Sequence, residues 1–173
     1  SNGVPLGAIA GNEEIMMKIM DPEDPVVAGG TFSGNLLGCS AGIAALGVME
    51  DQEMFDKWLN RAGKFFDELQ NIFDELDFPA RVQHLGCGFY IYVGTRDDIK
   101  NYHDFHKINR GLAQIFFRNC IQNGVYFHTD FTISASHDES TLGKALELLR
   151  TATLETKKQA GQSQVEEVEK PPY

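Results

Sequence analysis

The glycine-rich loop Gly29–Asn35, which reads Gly-Gly-Thr-Phe-Ser-Gly-Asn, has the clearest potential for chemistry in this sequence. Glycines let backbone N–H groups approach a ligand closely, and the hydroxyls of Thr31 and Ser33 are hydrogen-bond donors. A helix is predicted to begin directly after the loop, and a helix N-terminus attracts anions. The loop matches neither G-x-x-x-x-G-K-[ST] nor G-x-G-x-x-G. The pattern alone therefore favours a helix-capping turn, with a phosphate site as the alternative.

Histidines supply the other candidates for chemistry. His103 and His106 have the H-x-x-H spacing, but no third ligand follows nearby in the sequence. We therefore expect solvated or half-buried histidines there, not a metal site. His128, followed by Thr129 and Asp130, lies between two predicted strands, where polar loop residues often contact substrates. A surface turn is the favoured interpretation of His128, and a substrate contact is the alternative.

The composition argues against several classes of function. A net charge of −10 speaks against nucleic-acid binding, which needs clustered Lys and Arg, and it suits a soluble cytoplasmic protein. Cys39, Cys87 and Cys120 are far apart and odd in number, which predicts neither a disulfide framework nor a zinc site. No apolar run has membrane length, so no membrane partner is expected. The sequence begins with Ser1 and lacks an initiator Met, so we expect it to be part of a longer protein.

The elements around the loop are predicted from local patterns. Leu6–Ala10 is expected to be a short strand, and Asn12 is expected to cap a helix that ends at Met20. Leu36–Met49 is apolar almost all round, which predicts a helix buried on most sides, in a core or at a subunit interface. Residues 54–76 keep an apolar stripe at helical spacing, which we interpret as core packing.

The rest of the chain predicts strands and helices packed in layers. Strands are predicted at Arg81–Leu85, Phe89–Val93, Val125–Phe127 and Phe131–Ala135. Asn101–Gln122 is predicted to be one amphipathic helix, and Ser136–Glu139 fits a capping box that starts the last helix. The polar tail 156–173 is expected to add little to the core. This order predicts an α+β layer, a small and mostly antiparallel sheet with helices on one face.

Several of these motifs together resemble class III pyridoxal-phosphate aminotransferases. Asn2–Ala8 is similar to the family pattern G-G-x-P-x-G-A, and Ala28–Asn35 is similar to A-G-T-x-S-G-N-P. Asn123–Phe127 follows in the family's order, and Phe131–Glu139 resembles F-x-S-x-A-H-x-x-E-D. The resemblance covers residues 1–149, and the branch that it suggests is that of the glutamate-1-semialdehyde aminomutases.

The resemblance implies a fold, a cofactor and an assembly. The fold is the α/β fold of pyridoxal-phosphate-dependent transferases (fold type I), and the assembly is a homodimer. Residues 1–50 would be the end of the large cofactor-binding domain, 51–80 a connecting helix, and 81–155 the small C-terminal α+β domain. Gly30 and Thr31 match the family's G-T, whose backbone and hydroxyl reach the phosphate of pyridoxal 5′-phosphate in the neighbouring subunit.

Departures from the family pattern leave the reaction open. The lysine that forms the Schiff base would precede Ser1, so no catalytic residue is expected in this chain. Leu36 replaces the family's proline, and the loop before Phe131 is short, with His128 near the place of the aminomutase's acidic residue. The leading prediction is amino transfer between an amino acid and a keto acid. The alternatives are aminomutase activity and an inactive homologue that serves as a dimerisation or binding module.

Overall fold

A computed structural model describes residues 3–127 and 131–162. The chain divides into two compact units, Ser1–Phe55 and Asp56–Tyr173. The predicted glycine-rich loop lies in the first unit, and the predicted α+β elements lie in the second.

The first unit contains the helices α1 (Glu13–Met16) and α2 (Leu36–Met49). The Asn12 side chain accepts a hydrogen bond of 2.9 Å from the Glu14 N–H, which confirms the predicted cap. A 3₁₀ turn, Met17–Met20, completes the predicted helix. The predicted strand Leu6–Ala10 is wrong, since these residues adopt no regular structure. A strand forms only where a neighbouring strand accepts its hydrogen bonds, and this unit has none among its described residues.

Helix α2 has the predicted bounds but not the predicted burial within the chain. Its buried residues are Gly38 and Gly42, one turn apart. A Cβ atom on Gly42 would overlap the end of the Leu6 side chain, and one on Gly38 would lie 3.0 Å from the Pro5 carbonyl oxygen. The two glycines therefore form a groove that holds the Pro5–Leu6 segment. The large apolar side chains of α2 are exposed: Leu36, Leu37, Ile43, Leu46, Val48 and Met49.

The second unit is organised around a long helix, α3 (Gln52–Glu75), most of which lies in this unit. The predicted stripe on this helix is confirmed as core, because the buried residues follow it at spacings of three and four: Ala62, Phe65, Phe66, Leu69 and Phe73. Strands β1 (Ala80–Leu85) and β2 (Gly88–Val93) pack on this face. Helices α4 (Arg110–Gln122) and α5 (Glu139–Gln162) complete the same core.

Strands β1 and β2 form an antiparallel hairpin, whose register runs from Ala80 opposite Val93 to Leu85 opposite Gly88. Both strands begin one residue before their predicted starts. The predicted strand Phe131–Ala135 is reduced to a single bridge between Thr132 and Gly88, and the predicted strand Val125–Phe127 is wrong. The Val125 N–H instead donates to the Cys120 carbonyl at 2.8 Å, which closes the end of α4.

The side-chain amides of two glutamines satisfy backbone groups beside the hairpin. Gln70 accepts from the Val82 N–H at 2.9 Å and donates to the Ala80 carbonyl at 3.3 Å. Gln83 makes the same pair of bonds with the backbone of Ile99, at 2.7 and 3.3 Å. The Gln70 amide therefore covers part of the outer edge of β1, where a further strand could otherwise pair.

The predicted helix Asn101–Gln122 is broken near its middle. Asp104–Lys107 is a 3₁₀ turn, and α4 begins only at Arg110. Asn109 is extended, and its backbone N–H donates to the Val93 carbonyl at 2.9 Å. Its side chain caps α4 by accepting from the Leu112 N–H at 3.0 Å. A tertiary bond to β2 and a cap therefore override the helical pattern at this position.

Helix α5 differs from its prediction at both ends. Asp138 is the cap instead of Ser136, because its carboxylate accepts from the Thr141 N–H at 2.7 Å. Hydrogen bonds from Thr141 lower the pKa of the Asp138 carboxyl group. At the other end α5 continues to Gln162, into the range 156–173 predicted as a tail. Thr156 is fully buried and accepts from the Asn119 side chain at 3.0 Å, so the start of this range belongs to the core.

Candidate functional site

The loop Gly29–Asn35 is a compact turn that supports itself. The Ser33 N–H donates to the Gly30 carbonyl at 2.9 Å, and the Asn35 N–H donates to the Phe32 carbonyl at 3.2 Å. Gly34 has φ +68°, a left-handed conformation that glycine adopts without strain. Gly30 and Thr31 lie together at the exposed start of the turn. Both predicted cofactor-binding residues are therefore accessible.

The helix N-terminus after the loop is partly occupied by the chain itself. The Asn35 side chain accepts from the Gly38 N–H at 2.7 Å and donates to the Phe32 carbonyl at 2.9 Å. One of the free N–H groups of α2 is therefore already satisfied, which reduces the predicted contribution of this helix end to an anion site. The predicted helix-capping turn is therefore confirmed, and Asn35 is the residue that makes the cap.

The composition and shape of the loop fit a phosphate group. The loop offers backbone N–H groups and the hydroxyls of Thr31 and Ser33, and it contains no carboxylate. A Cβ atom on Gly30 would meet only the Ser33 hydroxyl oxygen, at an ordinary 3.7 Å, and one on Gly29 would meet nothing within 4 Å. Packing among the described residues therefore does not require glycine at these two positions. Close approach of a ligand to the backbone would require it.

The second candidate region is the C-terminal motif, here called the return segment, Phe131–Asp138. His128, the predicted substrate contact, lies outside the described residues. The Phe131 ring stacks on Tyr90 with centroids 5.1 Å apart and contacts Phe127 at 4.9 Å. A cleft of about 490 Å³ lies beside the segment, and its lining is mostly apolar with polar groups from Thr132, His137 and Lys144.

The backbone of the return segment is bonded to the hairpin and to α3. The Phe89 N–H donates to the Phe131 carbonyl, and the Ile133 N–H donates to the Cys87 carbonyl, both at 2.9 Å. On the other side, the Trp58 Nε1 donates to the Ile133 carbonyl at 2.7 Å, and the Arg61 Nη2 donates to the Ala135 carbonyl at 2.8 Å. The apolar periodicity of α3 did not reveal that Trp58 and Arg61 anchor the return segment, because an apolar stripe predicts packing and not hydrogen bonds.

The remaining titratable candidates are His103, His106 and Cys120. His103 precedes the 3₁₀ turn and His106 lies within it. Their ring centroids are 6.4 and 5.4 Å from the centroid of the Tyr102 ring. Among residues 3–127 and 131–162, no group of three or more His, Cys, Asp or Glu side chains is arranged to hold a metal ion. Cys120 is buried, and burial raises the pKa of its thiol to about 12. None of the helices in the described ranges is both long and apolar enough to cross a bilayer.

Comparison with known proteins identifies the family of this chain. The family model described as aminotransferase class-III matches residues 1–149. The chain belongs to this family. It is 30% identical over 153 residues to a glutamate-1-semialdehyde 2,1-aminomutase of Legionella pneumophila (strain Paris), covering 81% of this chain and 36% of that protein. It is 34% identical over 158 residues to the protein of the same name from Methanobrevibacter smithii, covering 87% and 36%.

Solved transaminase structures share the fold of this class III chain. An omega-transaminase from Sphaerobacter thermophilus matches with a TM-score of 0.70 at 16% identity, covering 85% of this chain and 34% of that one. A transaminase with pyridoxal phosphate bound matches with a TM-score of 0.67 at 15% identity. The chain spans about a third of the length of these relatives. It therefore has the fold of part of a pyridoxal-phosphate-dependent transaminase.

Proposed function

We propose that the full-length protein containing this chain transfers an amino group between an amino acid and a keto acid with pyridoxal 5′-phosphate as cofactor. The observation that carries this proposal is the Gly30–Thr31 turn, exposed and without acidic groups, in a chain of the class III aminotransferase family. The curated relatives and the solved structures that match are named as aminomutases and transaminases. Both names denote chemistry at an amino group.

Gly30 and Thr31 are the residues of this chain that would hold the cofactor. The Gly30 backbone can approach the phosphate because no Cβ stands in the way, and the Thr31 hydroxyl can donate to a phosphate oxygen. When bound, the cofactor supplies the electron sink that stabilises negative charge at the amino-acid carbon. The chain's own task is to fix the phosphate end, so that the reactive end keeps one position relative to the substrate.

The proposal also covers the assembly of the protein and its contact with the substrate. We place the Gly30–Thr31 turn at the cofactor of the neighbouring subunit in a cytoplasmic homodimer. The exposed apolar side chains of α2, directly behind the turn, suit such an interface. His128 stays a prediction for a substrate contact. Its replacement by glutamine is expected to raise the KM for the amino acid in the full-length enzyme.

Aminomutase activity is the second candidate, because both of the curated relatives described above carry the aminomutase name. The two reactions differ in whether a keto acid is needed. An aminotransferase requires a separate keto acid to accept the amino group, whereas an aminomutase moves the group within one molecule.

The test uses purified full-length protein loaded with pyridoxal phosphate. The visible absorbance of the bound cofactor is measured first, and then the product is quantified from a panel of amino acids with and without an added keto acid. The proposal predicts bound cofactor and an amount of product that exceeds the amount of enzyme only when the keto acid is present. Product that appears from glutamate 1-semialdehyde without a keto acid would favour the aminomutase. A protein that binds no cofactor would contradict both and would favour the inactive homologue.

A further inference from the structure

The cleft beside the return segment has the size and composition of a small-molecule site. Its volume is about 490 Å³, and its described walls come from α3, β2, the start of α5 and residues 124–127 and 131–133. Sites for small molecules measure about 300–1,000 Å³ and combine mostly apolar walls with a few polar groups. All of these wall residues belong to the second unit, and the proposed cofactor contact uses none of them.

Four phenylalanine rings line the cleft and contact one another. The Phe131 ring centroid lies 4.9 Å from that of Phe127 and 5.6 Å from that of Phe89, and the Phe65 centroid lies 6.0 Å from that of Phe89. These distances are typical of edge-to-face and offset aromatic pairs. Phe65 and Phe89 are buried, whereas Phe127 and Phe131 are only half-buried. An aromatic ligand would therefore find ring partners that the described residues leave partly uncovered.

Helix α5 brings a positive charge to the cleft. Thr141, Ala145 and Leu148 line it at spacings of four and three residues, which places them on one helix face, and Lys144 lines it beside them. Lys144 is exposed, and no salt bridge among the described residues involves its ammonium group. None of the described lining residues is Asp or Glu, although the chain has 25 of them. The charge of the described lining therefore complements an anion.

His137 and Thr132 add hydrogen-bond donors to the same lining. The His137 Nδ1 accepts from the Ser134 N–H at 3.1 Å, so the proton of the neutral ring is on Nε2. The Thr132 side chain is exposed and carries a hydroxyl. An ammonium group, an imidazole N–H and a hydroxyl are donors that suit a carboxylate, which only accepts hydrogen bonds.

We propose that this cleft binds a small aromatic monocarboxylic acid, with its ring against Phe127 and Phe131 and its carboxylate at Lys144. Burial of the ring supplies most of the affinity, and the ammonium group selects the anion over a neutral molecule of the same shape. A phosphate group suits the cleft less well, because phosphate sites use several cations or backbone N–H groups and this lining is mostly apolar. Binding there does not depend on amino transfer.

The experiment titrates the purified full-length protein calorimetrically with 4-phenylbutyrate, in the presence of pyridoxal phosphate. The second probe is 4-phenylbutanol, which has the same apolar body without the carboxylate. Lys144→Met removes the charge and keeps an unbranched side chain, and Ala145→Phe fills the cleft from the face of α5. The matched controls are Lys158→Met and Ala160→Phe, which lie on the same helix outside the described lining. Ala160 is partly buried against the core, as Ala145 is.

The wild type is expected to bind 4-phenylbutyrate with a Kd of about 1 mM or lower. Lys144→Met should weaken this binding about three- to fivefold, the effect of losing an exposed ion pair, and should leave the affinity for 4-phenylbutanol unchanged. Ala145→Phe should weaken the binding of both probes by about tenfold or more, because the new ring takes the place of the ligand's ring. Lys158→Met and Ala160→Phe should bind both probes as the wild type does.

Three results would overturn this site. A wild type that binds neither probe would show that the cleft is closed or filled in the full-length protein. Unchanged affinity for 4-phenylbutyrate in either Lys144→Met or Ala145→Phe would place the binding elsewhere. Equal weakening in Lys158→Met would show an effect of net charge alone. Each of these failures leaves the proposed function standing, because that function is tested by cofactor binding and product formation.

Discussion

At the scale of single residues, the glycine-rich loop shows a difference between glycines that the chain needs and glycines that a ligand would need. Gly34 has a positive φ, and Gly38 has the Pro5 carbonyl and the Asn35 side chain against it. Gly30 has neither constraint. A glycine without a structural reason in its own chain is best explained by contact with something outside it.

Gly30→Ala is therefore predicted to separate folding from cofactor binding. The variant should be as stable as the wild type or more stable, by up to about 1 kcal/mol, because alanine restricts the unfolded chain. Its affinity for pyridoxal phosphate should fall, because the new methyl group faces the ligand. Denaturant unfolding of the apoprotein and cofactor titration measure the two effects. A loss of stability together with unchanged cofactor affinity would contradict this account of Gly30.

At the scale of elements, α2 owes its bounds to its sequence and its packing to two glycines. Asn35 starts the helix, and Gly38 and Gly42 admit the Pro5–Leu6 segment against it. Gly47 lies on the same helix, where a Cβ would meet nothing within 4 Å. Gly38 is therefore a test position on this helix, and Gly47 is its control.

Gly38→Ala is predicted to destabilise the protein, whereas Gly47→Ala is predicted to stabilise it. A methyl group at Gly38 would lie 2.8 Å from the Asn35 Nδ2 and 3.0 Å from the Pro5 carbonyl oxygen, so the cap or the backbone must move. At Gly47 the change only improves helix propensity, by about 0.5–1 kcal/mol. Thermal unfolding of the two variants should shift in opposite directions. A gain in stability in both would show that the groove around Gly38 is not tightly packed.

The start of α5 predicts a dependence of stability on pH. The pKa of Asp138 is lowered in the folded protein by its hydrogen bonds from Thr141, with a smaller contribution from Arg61. The stabilisation is therefore present above the ordinary carboxyl pKa of 3.8 and is lost as the pH falls through the lower folded value. Asp138→Asn keeps a cap that does not titrate, so the variant should lose less stability than the wild type on acidification below 3.8. An equal loss of stability in the two proteins as the pH falls below 3.8 would contradict this role of Asp138.

The sequence predicted elements whose signals are local and missed those decided by distant contacts. The bounds of α2, and those of the hairpin strands to within one residue, followed from small apolar residues, alternation and turn glycines. Helix α1 followed from its Asn12 cap. The break before Arg110 depends on a bond from Asn109 to Val93, which no local pattern contains. The strand Phe131–Ala135 was predicted from a β-rich run, but α3 side chains take two of its carbonyls. In the candidate site, the turn geometry was predictable and the Asn35 cap was visible in the sequence, whereas the Trp58 and Arg61 anchors were not.

At the scale of the whole molecule, the described residues leave the large apolar side chains of α2 without cover. Leu37 is 69% exposed and Ile43 is 73% exposed, which is unusual for large aliphatic side chains on one helix. The chain spans about a third of the length of its relatives, and in the proposed homodimer the neighbouring subunit covers this face.

Ile43→Glu is predicted to weaken the homodimer of the full-length protein. An unpaired carboxylate buried in an apolar interface should raise the dimer dissociation constant by more than about tenfold. Leu85→Glu, at the 91% exposed Leu85 in the other unit, is the control and should leave the assembly unchanged. Sedimentation analysis over a range of concentrations measures both. A dimer of unchanged affinity in Ile43→Glu would place the interface elsewhere.

The most direct test of the central claim asks whether Thr31 contacts the cofactor's phosphate. The full-length wild type, Thr31→Val and Thr31→Ser are each titrated with pyridoxal phosphate and with pyridoxal, which lacks the phosphate. The Thr31→Val variant should lose about 1.5–3 kcal/mol of affinity for pyridoxal phosphate, a factor of about 10 to 150, because a hydrogen bond to a charged group is lost. Its affinity for pyridoxal should not change, and Thr31→Ser should bind both as the wild type does. Equal losses for the two ligands, or no loss for either, would contradict a phosphate contact at Thr31.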